Sequence, residues 1–291
     1  MSFPICEVAA NEFPSLLREI PQVPESLNYR GILPSSDMKL LAVVGSRNYS
    51  NYGKQVVEHL IAGLSPFNVG IVSGLALGID SLAHKAALLN NMYTLAVPGS
   101  GIDDKVIYPA AHKSLAREIL HAGGGLLSEF EPMFTATKWS FTQRNRIMAG
   151  MSHATLLIEA AEQSGTLITA RMATDYNREL LVVPGDIFSA NSKGVHQFLK
   201  LGATPVTNSE DILYALGIDH IDGQRKTLAF GAHKNLTPSE KTIIEALTDP
   251  LDTDALIRVT GLPTREANIL LMQMEMNGLV TSSQGLYRAI V

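Results

Sequence analysis

The chain predicts an α/β fold: an extended Rossmann-like sheet, doubly wound and mostly parallel, followed by a small C-terminal winged-helix-like domain. Three observations carry this. From Lys39 onward, apolar runs of four to six residues alternate with longer stretches of helical period, the way strands buried on both faces and their crossover helices read. The connections between these runs are short, as in a doubly wound sheet. Near Gly217 the rhythm stops, and a helix-capping sequence opens a different pattern.

Residues 1–38 are rich in Pro, Ser and Asn, with one short amphipathic piece from Phe13 to Ile20, and predict an N-terminal arm packed against the domain that follows. The domain is expected over 39–217, with strands at 41–45, 69–74 (VGIVSG), 93–99 (YTLAVPG), 125–130 (GLLSEF), 154–160 (ATLLIEA), 179–185 (ELLVVPG) and 204–208 (TPVTN). Between them lie helical stretches such as YGKQVVEHLIAGL, GIDSLAHKAALLNN, HKSLAREILHAG, SGTLITARMATDYN and SEDILYALG. Residues 218–236 mix Gly, His and charge without period and read as a linker. Over 237–291, Thr237-Pro238-Ser239-Glu240 is a capping box with proline at the first helical position. Two more short helices and a strand-like end complete the winged-helix pattern.

Composition narrows the function classes. With 291 residues, 46% of them hydrophobic and 18% charged, the chain can bury a sizeable core. One cysteine, Cys6, offers neither a disulfide framework nor a metal-ligand pattern, so no metal is expected. The N-terminus lacks a basic segment leading into an apolar one, and no apolar run approaches the ~20 residues that span a bilayer, so the expectation is a cytoplasmic protein without membrane contact. The formal charge of −5 excludes a general polycation and confines any nucleic-acid site to a patch. Residues 132–158 contain no acidic side chain and supply such a patch.

Four expected strands end in glycine-rich turns: Gly45-Ser46-Arg47, Ser73-Gly74-Leu75, Pro98-Gly99-Ser100-Gly101 and Pro184-Gly185-Asp186. A fifth turn, Ser164-Gly165-Thr166, opens a helix. In a parallel sheet these turns share one edge, where backbone N–H groups and helix N-termini attract anions. The N–H groups of Gly165 and Thr166, with the Ser and Thr hydroxyls, suit one phosphate. A lone glycine after a strand merely makes a tight turn; five on one edge, one holding Arg47, favour an anion site. No G-x-x-x-x-G-K-[ST] loop, no G-x-G-x-x-G fingerprint with a following acid and no G-x-S-x-G elbow occurs, so no nucleotide cofactor and no hydrolase nucleophile are expected. Asp80 and His84, four apart, read as capping and packing residues, and Glu159 and Glu162 as turn or helix-entry residues as readily as a carboxylate pair.

The basic segment is more specific. Lys138 and Phe141 are three apart, and Arg144 and Arg146 flank Asn145. A base stacked on Phe141 or Trp139, with the cations on successive phosphates, would hold a single strand. Arg144 or Arg146 could instead pair with a buried carboxylate such as Glu129 or Glu159, and Trp139 could be core.

In order along the chain, VGSR (44–47), SGLALGIDSLAH (73–84), VPGSGID with Tyr108-Pro109 after it, GGGLLSEF (123–130), RNRIMAGMSHATLLIEA (144–160), SGTLITA (164–170), VPGD (183–186) and a GA followed by Glu210-Asp211 resemble the DNA-processing protein A family (DprA/Smf) over about residues 30–217. The resemblance implies a non-catalytic single-strand DNA binder that assists RecA loading in natural transformation and recombination, acting as a homodimer. It carries the family's DNA-contacting arginine onto Arg47, and its lysine and aromatic onto Lys138 and Phe141. Many members carry a helical domain before the sheet; about 38 residues precede it here, so any function of that domain is expected to be absent or reduced. The 238–291 segment holds seven acidic against four basic residues, poor complementarity to phosphates, so a protein-contact or regulatory role is expected for it. The alternative is a nucleotide phosphoribohydrolase-like enzyme of the lysine-decarboxylase-like Rossmann group, whose Pro-Gly-Gly is replaced here by Glu159-Ala160-Ala161.

Overall fold

A computed structural model describes residues 3–218, 236–247, 250–277, 279–283 and 285–289. The chain divides into two compact units, Met1–Asp219 and His220–Val291. Of the stretch expected to be a linker, 218–236, only the two end residues are among those described.

The seven expected strands all form: β3 (Lys39–Val44), β4 (Val69–Ser73), β5 (Thr94–Ala96), β6 (Gly125–Ser128), β7 (Ala154–Leu157), β8 (Glu179–Val182) and β9 (Thr204–Pro205). Two more precede them, β1 (Ile5–Ala9) and β2 (Ser26–Gly31), and the nine form one sheet in the order β1-β2-β6-β5-β4-β3-β7-β8-β9. The N-terminal arm is therefore built into the sheet as well as packed on it. Strand β2 runs antiparallel to β6, pairing Asn28 with Ser128 and Gly31 with Gly125, while β3 through β9 are parallel.

Strand β3 shows why the strands read as unbroken apolar runs. Its side chains alternate, Leu41 and Val43 entering one core and Leu40 and Val44 the other, so both faces need apolar residues. The first core is closed by α2 (Asn51–Leu64), α3 (Ile79–Leu89) and α8 (Ser209–Ala215), which supply Val57, Ile61, Ile79 and Ile212. On the opposite face lie α1 (Ser15–Arg18), α5 (Lys138–Met151), α6 (Thr166–Asp175) and α7 (Lys193–Lys200), with Leu17, Met148, Leu167 and Phe198. Helix α4 (Lys113–His121) covers a third cluster under β5 and β6. Order along the chain runs outward from β3 through β4, β5 and β6 on one side and from β7 through β8 and β9 on the other. The β3/β7 boundary is thus the topological switch point, where a doubly wound sheet opens a crevice at its carboxyl edge.

The second unit folds around its own core of Ile243, Leu256, Leu271, Met274 and Val280. Its helices α9 (Pro238–Ala246), α10 (Thr253–Thr260) and α11 (Thr264–Met276) precede the hairpin β11 (Val280–Ser283) and β12 (Leu286–Ala289), and a two-residue strand β10 (Leu251–Asp252) pairs with β12. The capping box forms as expected: Thr237 accepts from the Glu240 N–H, and Glu240 from the Thr237 N–H.

Candidate nucleic-acid interface

The turn after β3 sits at the switch point. Gly45 is buried, Ser46 half-buried and Arg47 exposed. The loop is fixed from two sides: the Ile79 N–H donates to the Ser46 carbonyl at 3.1 Å, and the Thr166 hydroxyl donates to the Gly45 carbonyl at 3.0 Å. Gly78, with φ +89°, lies so close that a Cβ there would stand 2.5 Å from the Arg47 Cα. Only glycine allows the β4–α3 connection to brace the arginine's backbone this tightly.

Arg47 reaches across to α5. Its guanidinium carbon lies 5.5 Å from the centre of the Phe141 ring, within cation–π range. The ring rests on the turn after β5, where a Cβ on Gly99 would come within 2.5 Å of it. Its other neighbour is Tyr108, 5.6 Å away between ring centres and half exposed. A capping box at Thr137 and Ser140 starts α5, and the Ser140 hydroxyl also donates to the Gly99 carbonyl at 2.6 Å, fastening the helix to the sheet edge. Lys138 is exposed at the first position of this helix, whose first turn holds no acid. A cation beside the positive end of the helix dipole opposes the helix by about 0.3–1 kcal/mol, a cost an incoming anion reverses. Arg47, Lys138 and Tyr108, exposed around the half-buried Phe141, therefore form a cationic and aromatic surface.

The remaining members of the basic segment turn inward. Arg144 is only 4% exposed. It donates to the Val97 carbonyl and lies against Gly74, where a Cβ would overlap the guanidinium. Burial lowers its pKa to about 10 against the favourable charge of Asp80, with Arg47 adding to the lowering, so it stays a cation at neutral pH. Asp80 is itself buried and accepts from the Gly74 N–H at 3.1 Å; burial raises its pKa, against the opposing influence of Arg144 and of the Ala76 and Gly74 N–H groups. Ser73 is buried too, donating to the Val43 carbonyl at 2.7 Å. Arg146 pairs with Glu129 and donates to the Gln22 carbonyl of the N-terminal segment, while Gln143 donates to the same Glu129 oxygen at 3.0 Å. Asn145 is half-buried between the two arginines.

At the Ser164-Gly165-Thr166 turn, Gly165 is exposed at the start of α6, yet the hydroxyls expected to cradle a phosphate are engaged within the protein. Ser164 donates to the Thr166 hydroxyl at 3.1 Å and accepts from the Thr166 N–H at 3.2 Å. Glu159 is buried and accepts from the backbone and hydroxyl of Ser50, the N-cap of α2, which gives it a structural role. His84 is fully buried, bonded through Nδ1 to Thr94 at 2.7 Å. Trp139 is half exposed, edge-on to Phe130 and Phe134. Tyr108, one of the family-motif residues but without an expected DNA contact, follows a loop without periodicity, and only the fold brings it to Phe141.

Comparison with known proteins settles the relationship. The sequence model of DNA recombination-mediator protein A matches residues 5–217, and that of the DprA winged helix domain matches 231–285. The chain belongs to the DprA family. Protein Smf of Escherichia coli K12 is 34% identical over 279 residues, 94% of this chain and 74% of that protein. DNA processing protein DprA of Streptococcus pneumoniae R6 is 40% identical over 211 residues, 72% of this chain and 73% of that one. The X-ray structure of DprA from Streptococcus pneumoniae superposes with a TM-score of 0.67 at 39% identity, covering 73% of this chain and 74% of that chain. Helicobacter pylori DprA, whose structure is described as giving insight into its single-stranded DNA binding mode, superposes with a TM-score of 0.66 at 28% identity, covering 75% of this chain and 98% of that one. The DprA match includes the winged helix expected at the C-terminal end. Its description as a recombination mediator is consistent with a non-catalytic protein. Among the described residues, no cluster of His, Cys, Asp and Glu is placed to hold a metal, and no helix is long and apolar enough to cross a membrane.

Proposed function

We propose that this chain binds single-stranded DNA along the carboxyl edge of its sheet and presents the strand to RecA during recombination and natural transformation, acting as a homodimer. The observation that carries the reading is the exposed Arg47 over the half-buried Phe141 ring at the switch point, with Lys138 at the adjoining helix N-terminus. Phosphates meet Arg47 and Lys138, and a base lies on the Phe141–Tyr108 platform. Gly45, Ser46 and Gly165 shape the edge, while Ser73, Gly74, Arg144, Asn145 and Arg146 hold α5 in position. The resemblance to a non-catalytic family, together with Glu159 being occupied by Ser50, favours this over the phosphoribohydrolase reading.

Fluorescence anisotropy with labelled oligo-dT tests it. Arg47→Ala and Lys138→Ala each weaken binding and flatten the salt dependence by about 0.7 in log–log slope, the signature of one lost phosphate contact on a single strand. Phe141→Ala costs about 1–3 kcal/mol. Unchanged affinity in all three variants, or equal affinity for duplex and single strand, removes the proposal. Pull-down of RecA and sedimentation of the free protein test the partner and the dimer.

A further inference from the structure

On the other side of the switch point, the segment between β8 and the start of α7 also carries an aromatic and a lysine, Phe188 and Lys193, five residues apart. Phe188 is 90% exposed and Ile187 73%, large apolar surface at the carboxyl edge of the sheet. Lys193 is exposed at the first position of α7, whose first turn holds no acid, so a second cation faces the positive end of a helix.

The loop that carries Phe188 is tied down. Asp186 accepts from the Phe188 N–H at 2.8 Å, and the Ser189 N–H donates to the Asp186 carbonyl at 3.1 Å. The Asn191 side chain donates to the Asn48 carbonyl, one residue from Arg47, at 2.8 Å, and the Asn191 carbonyl accepts from the Ala160 N–H at 2.7 Å. The Tyr52 hydroxyl donates to the Pro184 carbonyl at 2.7 Å. The loop's backbone is thus braced to Arg47's own loop, and its ring is left in water where a base can stack on it.

We propose that Phe188 and Lys193 form a second nucleotide subsite, the ring stacking on a base and the ammonium meeting a phosphate, so that one DNA strand crosses the switch point from Lys138 and Phe141 past Arg47 to Phe188. The proposal rests on the single-strand reading above. Four strand steps separate β5, under Phe141, from β8, giving a track of about 19 Å along the sheet edge. The exposed Asp186 carboxylate repels phosphate, which places the backbone on the Lys193 side of the ring and the base over Phe188.

The test compares oligo-dT of increasing length on the full chain. Phe188→Ala leaves binding of the shortest bound oligomers unchanged and weakens long ones at least about fivefold, the low end of one stacked base. Lys193→Ala flattens the salt slope for long oligomers only. Phe141→Ala weakens both lengths. Because the ring packs on almost nothing, Phe188→Ala melts like the parent. As a direct readout, Phe188→Trp in a Trp139→Phe background, which removes the single native tryptophan, shows fluorescence quenching when long oligo-dT binds. Undiminished long-oligomer affinity in Phe188→Ala, with Phe141→Ala still impaired, overturns this subsite while leaving the proposed function intact and gives the face to a protein partner. If Phe141→Ala and Arg47→Ala bind normally as well, the single-strand reading itself falls and takes the subsite with it.

Discussion

Arg144→Ala separates a structural arginine from a phosphate contact. The side chain is 4% exposed and stands near Asp80, 7% exposed, whose carboxylate depends on Arg144's charge and a few N–H groups. Removing Arg144 leaves the buried Val97 carbonyl without its donor and takes a favourable charge from Asp80, and an unsatisfied buried polar group costs about 1–3 kcal/mol. For a unit of this size, each kcal/mol lowers Tm by roughly 2–4 °C, so the first unit should melt about 2–12 °C lower. A pH series checks the cause. Without Arg144 the folded Asp80 carboxyl rises further above its ordinary 3.8, so the deficit is small where Asp80 is protonated in both states and grows as pH climbs through that value. Asp80→Asn in the same chain recovers part of the loss. Circular dichroism melts and oligo-dT anisotropy on the same samples decide it: parental melting with weakened DNA binding would refute the structural assignment and return Arg144 to the groove.

Three further outcomes follow from the geometry. Gly99→Ala drives a methyl group into the Phe141 ring, where a Cβ falls 2.5 Å away; single-strand affinity should drop without loss of any DNA-contacting group, and Phe141→Leu in that background should restore little. His84 is buried neutral, its pKa pushed down to about 3 by burial first and by nearby His112, against an ordinary 6.5. Folding therefore excludes a proton that the unfolded chain accepts, and stability falls as pH drops below 6.5. The cost is about 1 kcal/mol between pH 7 and 5.5, measured by urea melts, and His84→Gln should lose that slope. Glu129→Gln leaves Arg146 without its carboxylate in a site where the side chains are 12% and 6% exposed, and should lower the melting temperature more than it changes the salt slope of DNA binding.

The sheet was legible because its strands are buried on both faces: 41–45 or 154–157 could hardly be anything but interior parallel strands. The capping box at Thr237 was legible because its chemistry is local. Strands β1 and β2 were not, since β2 finds its partner in β6, about a hundred residues on, and its half-buried alternation looks like a polar arm until β6 stands beside it. The basic segment shows the same limit. Lys138 and Phe141, three apart on a helix, share a side that the sequence can foresee. Which arginine turns inward depends on the Val97 carbonyl and Glu129, both supplied by other elements, so the sequence leaves phosphate contact and carboxylate pairing open for Arg144 and Arg146, and the fold holds Arg146 on Glu129 and Arg144 on the Val97 carbonyl.

The N-terminal segment gains a meaning from this. Arg146 is anchored to the Gln22 carbonyl, Ile20 lies over Gly150, where a Cβ would come within 2.7 Å of it, and Arg178 donates to the Leu16 carbonyl at 2.7 Å. The back half of α5 is thus splinted by residues 16–22, while its front end carries Lys138 and Phe141. Trimming the protein to start at its first parallel strand would leave every proposed DNA-contacting side chain present and still blunt the grip, because the helix that aims them would have lost its backrest.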